Sequence, residues 1–110
     1  LQINLAMEDS KSGFDYNEIL LRWSEIETLS NIKIAGLMTM PPLRFDPEKN
    51  RAHFRELKKL QQELIKKTTN NLHPLKELSM GTSHDYEIAM EEGATYLRLG
   101  TVLFGERKKV

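Results

Sequence analysis

The 110-residue sequence contains no cysteine, has no excess of either charge and has no long apolar segment. Without cysteine, the chain can form no disulfide, no thiolate nucleophile and no cysteine-ligated zinc site. Its 16 basic residues balance its 16 acidic residues. A domain with no basic excess is a poor candidate for nucleic-acid binding, because neutralisation of phosphates supplies much of that affinity. No apolar run approaches the ~20 residues of a membrane span. We therefore expect neither a nucleic-acid nor a membrane partner, and the lack of cysteine fits a reducing cytoplasm.

The first residues, 1–7, form an apolar segment with a period of two, which is typical of a strand. The segment has no initiator Met and no leader sequence before it. We therefore expect the chain to be a fragment of a longer protein.

Strand patterns and helix patterns alternate along the rest of the chain. Asp15 and Glu18 have capping-box spacing, and Asp46-Pro47 supplies a second cap. Thr82 or Ser83 caps a third helix, with Asp85 in its first turn and Gly93 at its C-terminal end. The predicted strands are residues 1–7, 32–40, 77–80 and 95–99, and the last short helix or coil is 102–109. The predicted buried helix positions are Ile19, Leu20, Trp23, Ile26 and Leu29, and then Phe54, Leu57, Leu60, Leu64 and Ile65 in a helix that ends near Lys67.

This alternation predicts an α/β fold with a parallel sheet covered by helices. A complete (β/α)8 TIM barrel needs ~250 residues. A chain of 110 residues therefore holds about four parallel βα units, half of such a barrel. An open doubly wound sheet is the alternative. We predict the C-terminal half of a barrel, because of the polar residues that follow its last two strands.

Those polar residues occur in two segments, 79–83 (SMGTS) and 98–101 (RLGT). Each segment lies where a strand ends and a helix begins, so unpaired backbone N–H groups point outward there. Small residues and hydroxyls at such junctions suit an anion, and barrels often bind phosphate after their last two strands. Alternatively, Ser83 only caps its helix and Gly81 only relaxes a turn.

Arg98 lies on the last predicted strand, on the face opposite Leu97 and Leu99. If the leucines pack under helices, the guanidinium points into the barrel mouth. Its burial costs several kcal/mol unless a group accepts its hydrogen bonds. Acceptors that fit are a carboxylate, a ligand phosphate or a cofactor ring nitrogen, and a simple ion pair with an acidic neighbour is the structural alternative.

Four segments resemble the pyridoxal phosphate homeostasis proteins, the YggS/PROSC-type family related to the N-terminal barrel of alanine racemase. They are QINLAMEDSKSGF, IAGLMTM, ELSMGTSHDYEIA and EEGATYLRLGTVLFGER, and together they span nearly the whole chain. Thr82 stands where the family usually has Met, and the neighbouring Gly81 and Ser83 are retained.

The resemblance implies a role for individual residues in binding pyridoxal 5′-phosphate. Ser83, Gly100 and Thr101 would hold the phosphate, and Arg98 would face the pyridine nitrogen. The predicted remaining contacts are Met38, which would line the ring pocket, and Asn4, which would reach the site from the first strand.

The resemblance also implies that the family's Schiff-base lysine lies upstream of Leu1, so Lys11 is interpreted as a loop residue. We expect a cofactor-binding protein of intracellular pyridoxal phosphate homeostasis with no catalytic residues in this half. A racemase-like enzyme and an α/β module for another phosphate are the alternatives. The three histidines lack metal-ligand spacing, so no metal site is expected. The expected partner is the missing N-terminal half, or a second copy that pairs through exposed strand edges.

Overall fold

The computed structural model describes residues 1–9, 11–43 and 46–108. Three strands, β1 (Gly36–Met38), β2 (Glu77–Thr82) and β3 (Tyr96–Arg98), lie side by side in chain order. Both pairings are parallel. The predicted α/β class with a parallel sheet is therefore confirmed.

Helices precede and separate the strands, and α1 and the turn before α2 begin at the capping residues that the sequence marks. The helices are α1 (Tyr16–Ile26), α2 (Arg51–Lys67), α3 (Tyr86–Glu91) and α4 (Thr101–Phe104), and a 3-10 turn (Pro47–Asn50) precedes α2. The Asp15 carboxylate accepts the Glu18 amide at 2.7 Å, and Asp46 caps the 3-10 turn. Gly93 follows α3 with a φ of +102°, as predicted for a left-handed residue.

The first predicted strand, 1–7, is shorter than expected. Only Gln2 and Ile3 form parallel bridges, to Met38 and Phe14, and the chain then turns. The cause is the Asn4 side chain, whose amide donates to the backbone carbonyl of Glu8 at 2.7 Å. This bond favours a folded loop over a continued strand.

The prediction that Thr82 or Ser83 caps the third helix is wrong. Thr82 is the last residue of β2, and α3 begins at Tyr86 with Asp85 at its N-cap. Asp85 was expected in the first helical turn. The Ser83 hydroxyl does not cap α3 because it accepts amides from the chain segment after β3.

One apolar core joins the helices to the sheet. Four α2 residues are fully buried: Phe54, Leu57, Leu60 and Leu64. Trp23 of α1 has only 1% of its surface exposed. Burying each such side chain contributes ~1.5–3 kcal/mol. Two predicted core positions are wrong: Leu29 lies beyond the end of α1 and is exposed, and Ile65 faces solvent. The last predicted element, 102–109, is a helix only to Phe104, and its residue 109 lies outside the described residues.

An irregularity in the β2–β3 pairing determines the shape of the sheet's carboxyl edge. Ser79 lies opposite Tyr96 and Thr82 lies opposite Arg98, so β2 carries one extra residue. Gly81 accommodates it with a φ of +102°. A Cβ at Gly81 would lie only 2.7 Å from the Cβ of Ala89, so a larger residue does not fit. The bulge brings Thr82 and the turn after it against the end of β3.

None of the described helices combines the length and apolar character that a bilayer span requires.

Candidate functional site

A cavity of about 150 Å³ lies at the carboxyl edge of the sheet. In parallel α/β folds, this edge is where ligands bind. The walls are formed by residues that follow β1, by the end of β2 and the turn after it, by Lys11, and by Arg98 at the end of β3. The lining residues are Lys11, Met40, Pro41, Pro42, Leu43, Gly81, Thr82, Asp85 and Arg98.

Arg98 crosses the cavity from β3 to the end of β1. Its Nη2 donates to the carbonyl oxygen of Thr39 at 2.8 Å, whereas its Nε is buried and has no partner among the described residues. Burial lowers the pKa of the guanidinium, and the negative charge of Asp85 partly opposes that effect. In the described part of the chain no carboxylate lies within ion-pair distance of Arg98, and Asp85 acts on it only through a longer-range attraction. The guanidinium therefore keeps N–H groups for a further acceptor.

Ser83 joins the two strand–helix junctions that the sequence singles out. Its Oγ accepts the backbone N–H of Gly100 at 2.9 Å and that of Val102 at 3.0 Å. Gly100 and Thr101 are exposed, and a Cβ at Gly100 would meet no atom within 4 Å. The structure thus brings Ser83, Gly100 and Thr101 together at an accessible set of hydroxyl and amide groups.

The two remaining predicted site residues lie apart from this group. Met38 is half-buried at the end of β1 and does not line the Arg98 cavity. Asn4 uses its side-chain amide on the carbonyls of Glu8 and Lys11 and its Oδ1 on the Glu8 amide. Neither Met38 nor Asn4 lines the Arg98 cavity or has a described hydrogen bond to Ser83 or Arg98.

A larger cleft of about 380 Å³ opens on the other side of the turn that follows β2. Ser83 and Asp85 reach it, but its walls also carry Glu48, Glu87 and Glu91. These carboxylates repel a phosphate, whereas the smaller cavity carries the cations Arg98 and Lys11 beside Asp85. Ser83 lines the larger cleft and not the smaller cavity, and Gly100 and Thr101 line neither. Within the described ranges, no three potential metal ligands lie close enough together to hold an ion.

A known protein family matches nearly the whole length of the chain. The family model for the N-terminal domain of alanine racemase matches residues 1–108. The chain belongs to this family. The pyridoxal phosphate homeostasis protein of Aquifex aeolicus is 43% identical over 108 residues, which are 98% of this chain and 46% of that protein. The one from Synechocystis sp. is 44% identical over 97% of this chain and 48% of that protein. The resemblance seen in the sequence motifs is therefore confirmed.

Solved structures of the family have the same fold as this chain. PipY of Synechococcus elongatus without PLP aligns with a TM-score of 0.85 at 34% identity, over 96% of this chain and 48% of PipY. PipY with PLP bound aligns with a TM-score of 0.79 at 31% identity, over 94% of this chain and 47% of PipY. The chain thus spans about half the length of the relatives that it matches.

Three residues at or beside the cavity were not predicted from the sequence. Thr39 binds Arg98 through a backbone carbonyl, which no side-chain pattern reveals. Lys11 was interpreted as a loop residue, and it is one, but its Nζ donates to the carbonyl of Met40 at 2.9 Å and lines the cavity. Asp85 was explained by its position near a helix start, yet it is buried and faces the cavity. The sequence gives no local signal for the burial of Asp85, because its partner Asn50 is 35 positions away.

Proposed function

We propose that this chain is the C-terminal half of a (β/α)8 barrel that binds pyridoxal 5′-phosphate. Its parent would serve intracellular pyridoxal phosphate homeostasis in the cytoplasm as a carrier and not as an enzyme. The half-length match to proteins named for that role supports this proposal, as does the PLP-bound state of PipY. The sequential parallel strands and the unpaired outer side of β3 in the described sheet also support it.

The observation that carries the proposal is the position of Ser83 between two strand–helix junctions. The amides of Gly100 and Val102 converge on its Oγ, and the hydroxyl of Thr101 is exposed beside them. The Ser83 oxygen accepts both of these N–H groups, so what it offers a phosphate oxygen is its own O–H, beside the Thr101 hydroxyl and with no side chain at Gly100 in the way. Ser83, Gly100 and Thr101 would therefore hold the cofactor phosphate.

Arg98 would face the pyridine nitrogen of the cofactor. Its buried Nε without a partner is an observation of this structure that fits an external acceptor. When bound, the cofactor supplies an electron sink, and a cationic guanidinium at the ring nitrogen weakens it by disfavouring protonation there. This effect suits a protein that holds the cofactor and does not use it in catalysis. Met38 would line the ring pocket and Asn4 would reach the site, in a part of the pocket outside the Arg98 cavity, whose lining includes neither residue.

The proposed partner is the other half of the barrel, which would carry the covalent lysine anchor. β3 has β2 as its only neighbour among the described strands, and Leu103 and Phe104 beside it are exposed. An unpaired edge next to apolar side chains is suited to receiving another strand. In the absence of that half, a second copy of the chain would cover the same edge.

Equilibrium dialysis with pyridoxal 5′-phosphate tests the proposal. We expect saturable binding that Ser83→Ala and Arg98→Ala each weaken by ~1–3 kcal/mol, the cost of an unmade polar contact at a binding site. The matched controls are Ser24→Ala and Arg22→Ala, which remove the same groups from exposed positions of α1. Because exposed lysines react with the aldehyde nonspecifically, only the difference between site variants and controls is informative.

Two results would contradict the proposal in different ways. Equal binding by site variants and controls would show that Ser83 and Arg98 do not form the site. A lack of saturable binding, both by the chain alone and after the complementary half of a relative is added, would exclude cofactor binding itself.

A further inference from the structure

Asp85 is a buried carboxylate at the meeting point of three elements, with 6% of its surface exposed. Its Oδ1 accepts the backbone N–H of Thr82 at 2.8 Å and is 3.3 Å from the Thr82 hydroxyl. Its Oδ2 accepts the side-chain amide of Asn50 at 2.8 Å. Asp85 therefore connects the end of β2 to the residue that precedes α2.

These bonds close the turn that contains Ser83. The backbone N–H of Asp85 donates to the carbonyl of Thr82 at 3.2 Å, so residues 82 and 85 are joined through both main chain and side chain. Asp85 is the N-cap residue of α3, but its side chain makes no capping bond to that helix. Helix capping thus does not account for the carboxylate, whose bonds all serve the turn and Asn50.

The turn between β2 and α3 is bonded to the junction between β3 and α4. Ser83 lies inside it, and the Ser83 Oγ accepts the amides of Gly100 and Val102. A continuous chain of hydrogen bonds therefore runs from Asn50 through Asp85 and the turn to the start of α4. Arg98 is the neighbour of Thr82 in the sheet, and it lines the same cavity as Thr82 and Asp85.

We propose that Asp85 is a positioning residue that fixes Ser83 against the amides of Gly100 and Val102. One consequence rests on the proposed function: Asp85 would determine the affinity for the cofactor phosphate without contacting it. The effect of Asp85 on the position of Ser83 does not depend on any cofactor.

Asparagine at position 85 separates the geometry of the side chain from its charge. Asp85→Asn keeps an oxygen for the Thr82 amide, and its new NH2 group can donate to the Asn50 Oδ1. That oxygen is buried and has no partner among the described residues. Asp85→Ala removes both connections, and Asn50→Ala removes only the anchor at α2.

The test is amide proton exchange at Gly100 and Val102, measured by NMR. Ser83→Ala gives the rates without the hydroxyl acceptor. We expect Asp85→Ala to raise both rates roughly fivefold or more, toward those of Ser83→Ala, because the bonds to Ser83 loosen. Asn50→Ala should raise them by a smaller factor, and Asp85→Asn should leave them within about twofold of the parent rates. The amide of Leu60, in the core of α2, reports global unfolding.

Unchanged rates in both Asp85→Ala and Asn50→Ala would overturn the inference, as would acceleration matched at Leu60. If Asp85→Ala does not fold, Asn50→Ala and Asp85→Asn decide the matter by the same amides. Equilibrium dialysis with pyridoxal 5′-phosphate forms a second arm, in which Asp85→Ala should weaken binding about fivefold and Asp85→Asn should not. Altered exchange, with no saturable binding by the unsubstituted chain either alone or with the complementary half of a relative, would refute the proposed function and leave the positioning role intact.

Discussion

Gly36 lies where β1 comes closest to β2, and we expect Gly36→Ala to disrupt that pairing. A Cβ at this position would lie 1.9 Å from the carbonyl oxygen of Glu77 and 2.5 Å from its carbonyl carbon. Both are backbone atoms, so no side chain can rotate away. Because real Cβ contacts below 3.0 Å essentially never occur, the strands have to separate by about 1 Å or more.

The cost of this separation follows from the contacts that it breaks. The Glu77 amide donates to the Ala35 carbonyl at 2.9 Å, and the N-terminal amine of Leu1 donates to the Gly36 carbonyl at 3.0 Å. Each lost bond costs ~1 kcal/mol, and strain in the core around Leu37 adds ~1–3 kcal/mol. We therefore expect a loss of about 3 kcal/mol or more, a large part of the 5–15 kcal/mol typical of small domains.

Urea unfolding followed by the fluorescence of Trp23, the only tryptophan, measures this loss. Trp23 is 1% exposed in the folded chain, so unfolding changes its surroundings. Ala35→Val is the matched control, since it adds a larger group at the exposed preceding position and should change stability by ~0.5 kcal/mol or less. A loss below about 1 kcal/mol for Gly36→Ala would refute the steric argument.

Three further variants test other parts of the structure. His73→Phe removes the Nδ1 that accepts the buried Ile34 amide at 3.0 Å, and we expect urea unfolding to show a loss of ~1–3 kcal/mol; no loss would contradict the importance of this bond. Lys11→Met removes a partly exposed donor to the Met40 carbonyl, so its cost should be ~1 kcal/mol or less, and a loss twice as large would show a stronger role. Phe104→Glu places a charge on a side chain that is 85% exposed beside the open edge. It should reduce self-association of the chain in sedimentation velocity, and an unchanged distribution would show that this edge is not the contact.

The helices and the order of the strands could be predicted because their signals are local. In α2, Phe54, Leu57, Leu60 and Leu64 recur at helical spacing, and all four are buried. Asp15 caps α1 as expected, because the capping bond joins residues only three positions apart. Such features depend on neighbours in the chain and are visible in it.

The parts that could not be predicted depend on contacts between distant residues. Nothing local distinguishes Asp85 as a buried acceptor, because its partner Asn50 is 35 positions away. The first strand ends early because the Asn4 side chain competes for the backbone, although its apolar pattern continues to Met7. Of the candidate site, the nearness of Ser83 to Gly100 and Thr101 could be expected because hydroxyls and glycines mark junctions, whereas the Thr39 carbonyl has no signature in the sequence.

Arg98 shows why a residue that the fold does not require can still be identified from sequence. The fold uses it for one described hydrogen bond, to the Thr39 carbonyl, and leaves its Nε buried without a partner in the described part of the chain. Burial also lowers the pKa of the guanidinium, which means that the charged form is held at a cost. A leucine or methionine on the same strand face would avoid that cost, so stability alone does not explain an arginine there. An acceptor outside the described residues would explain it, and the proposed function supplies one in the cofactor ring nitrogen.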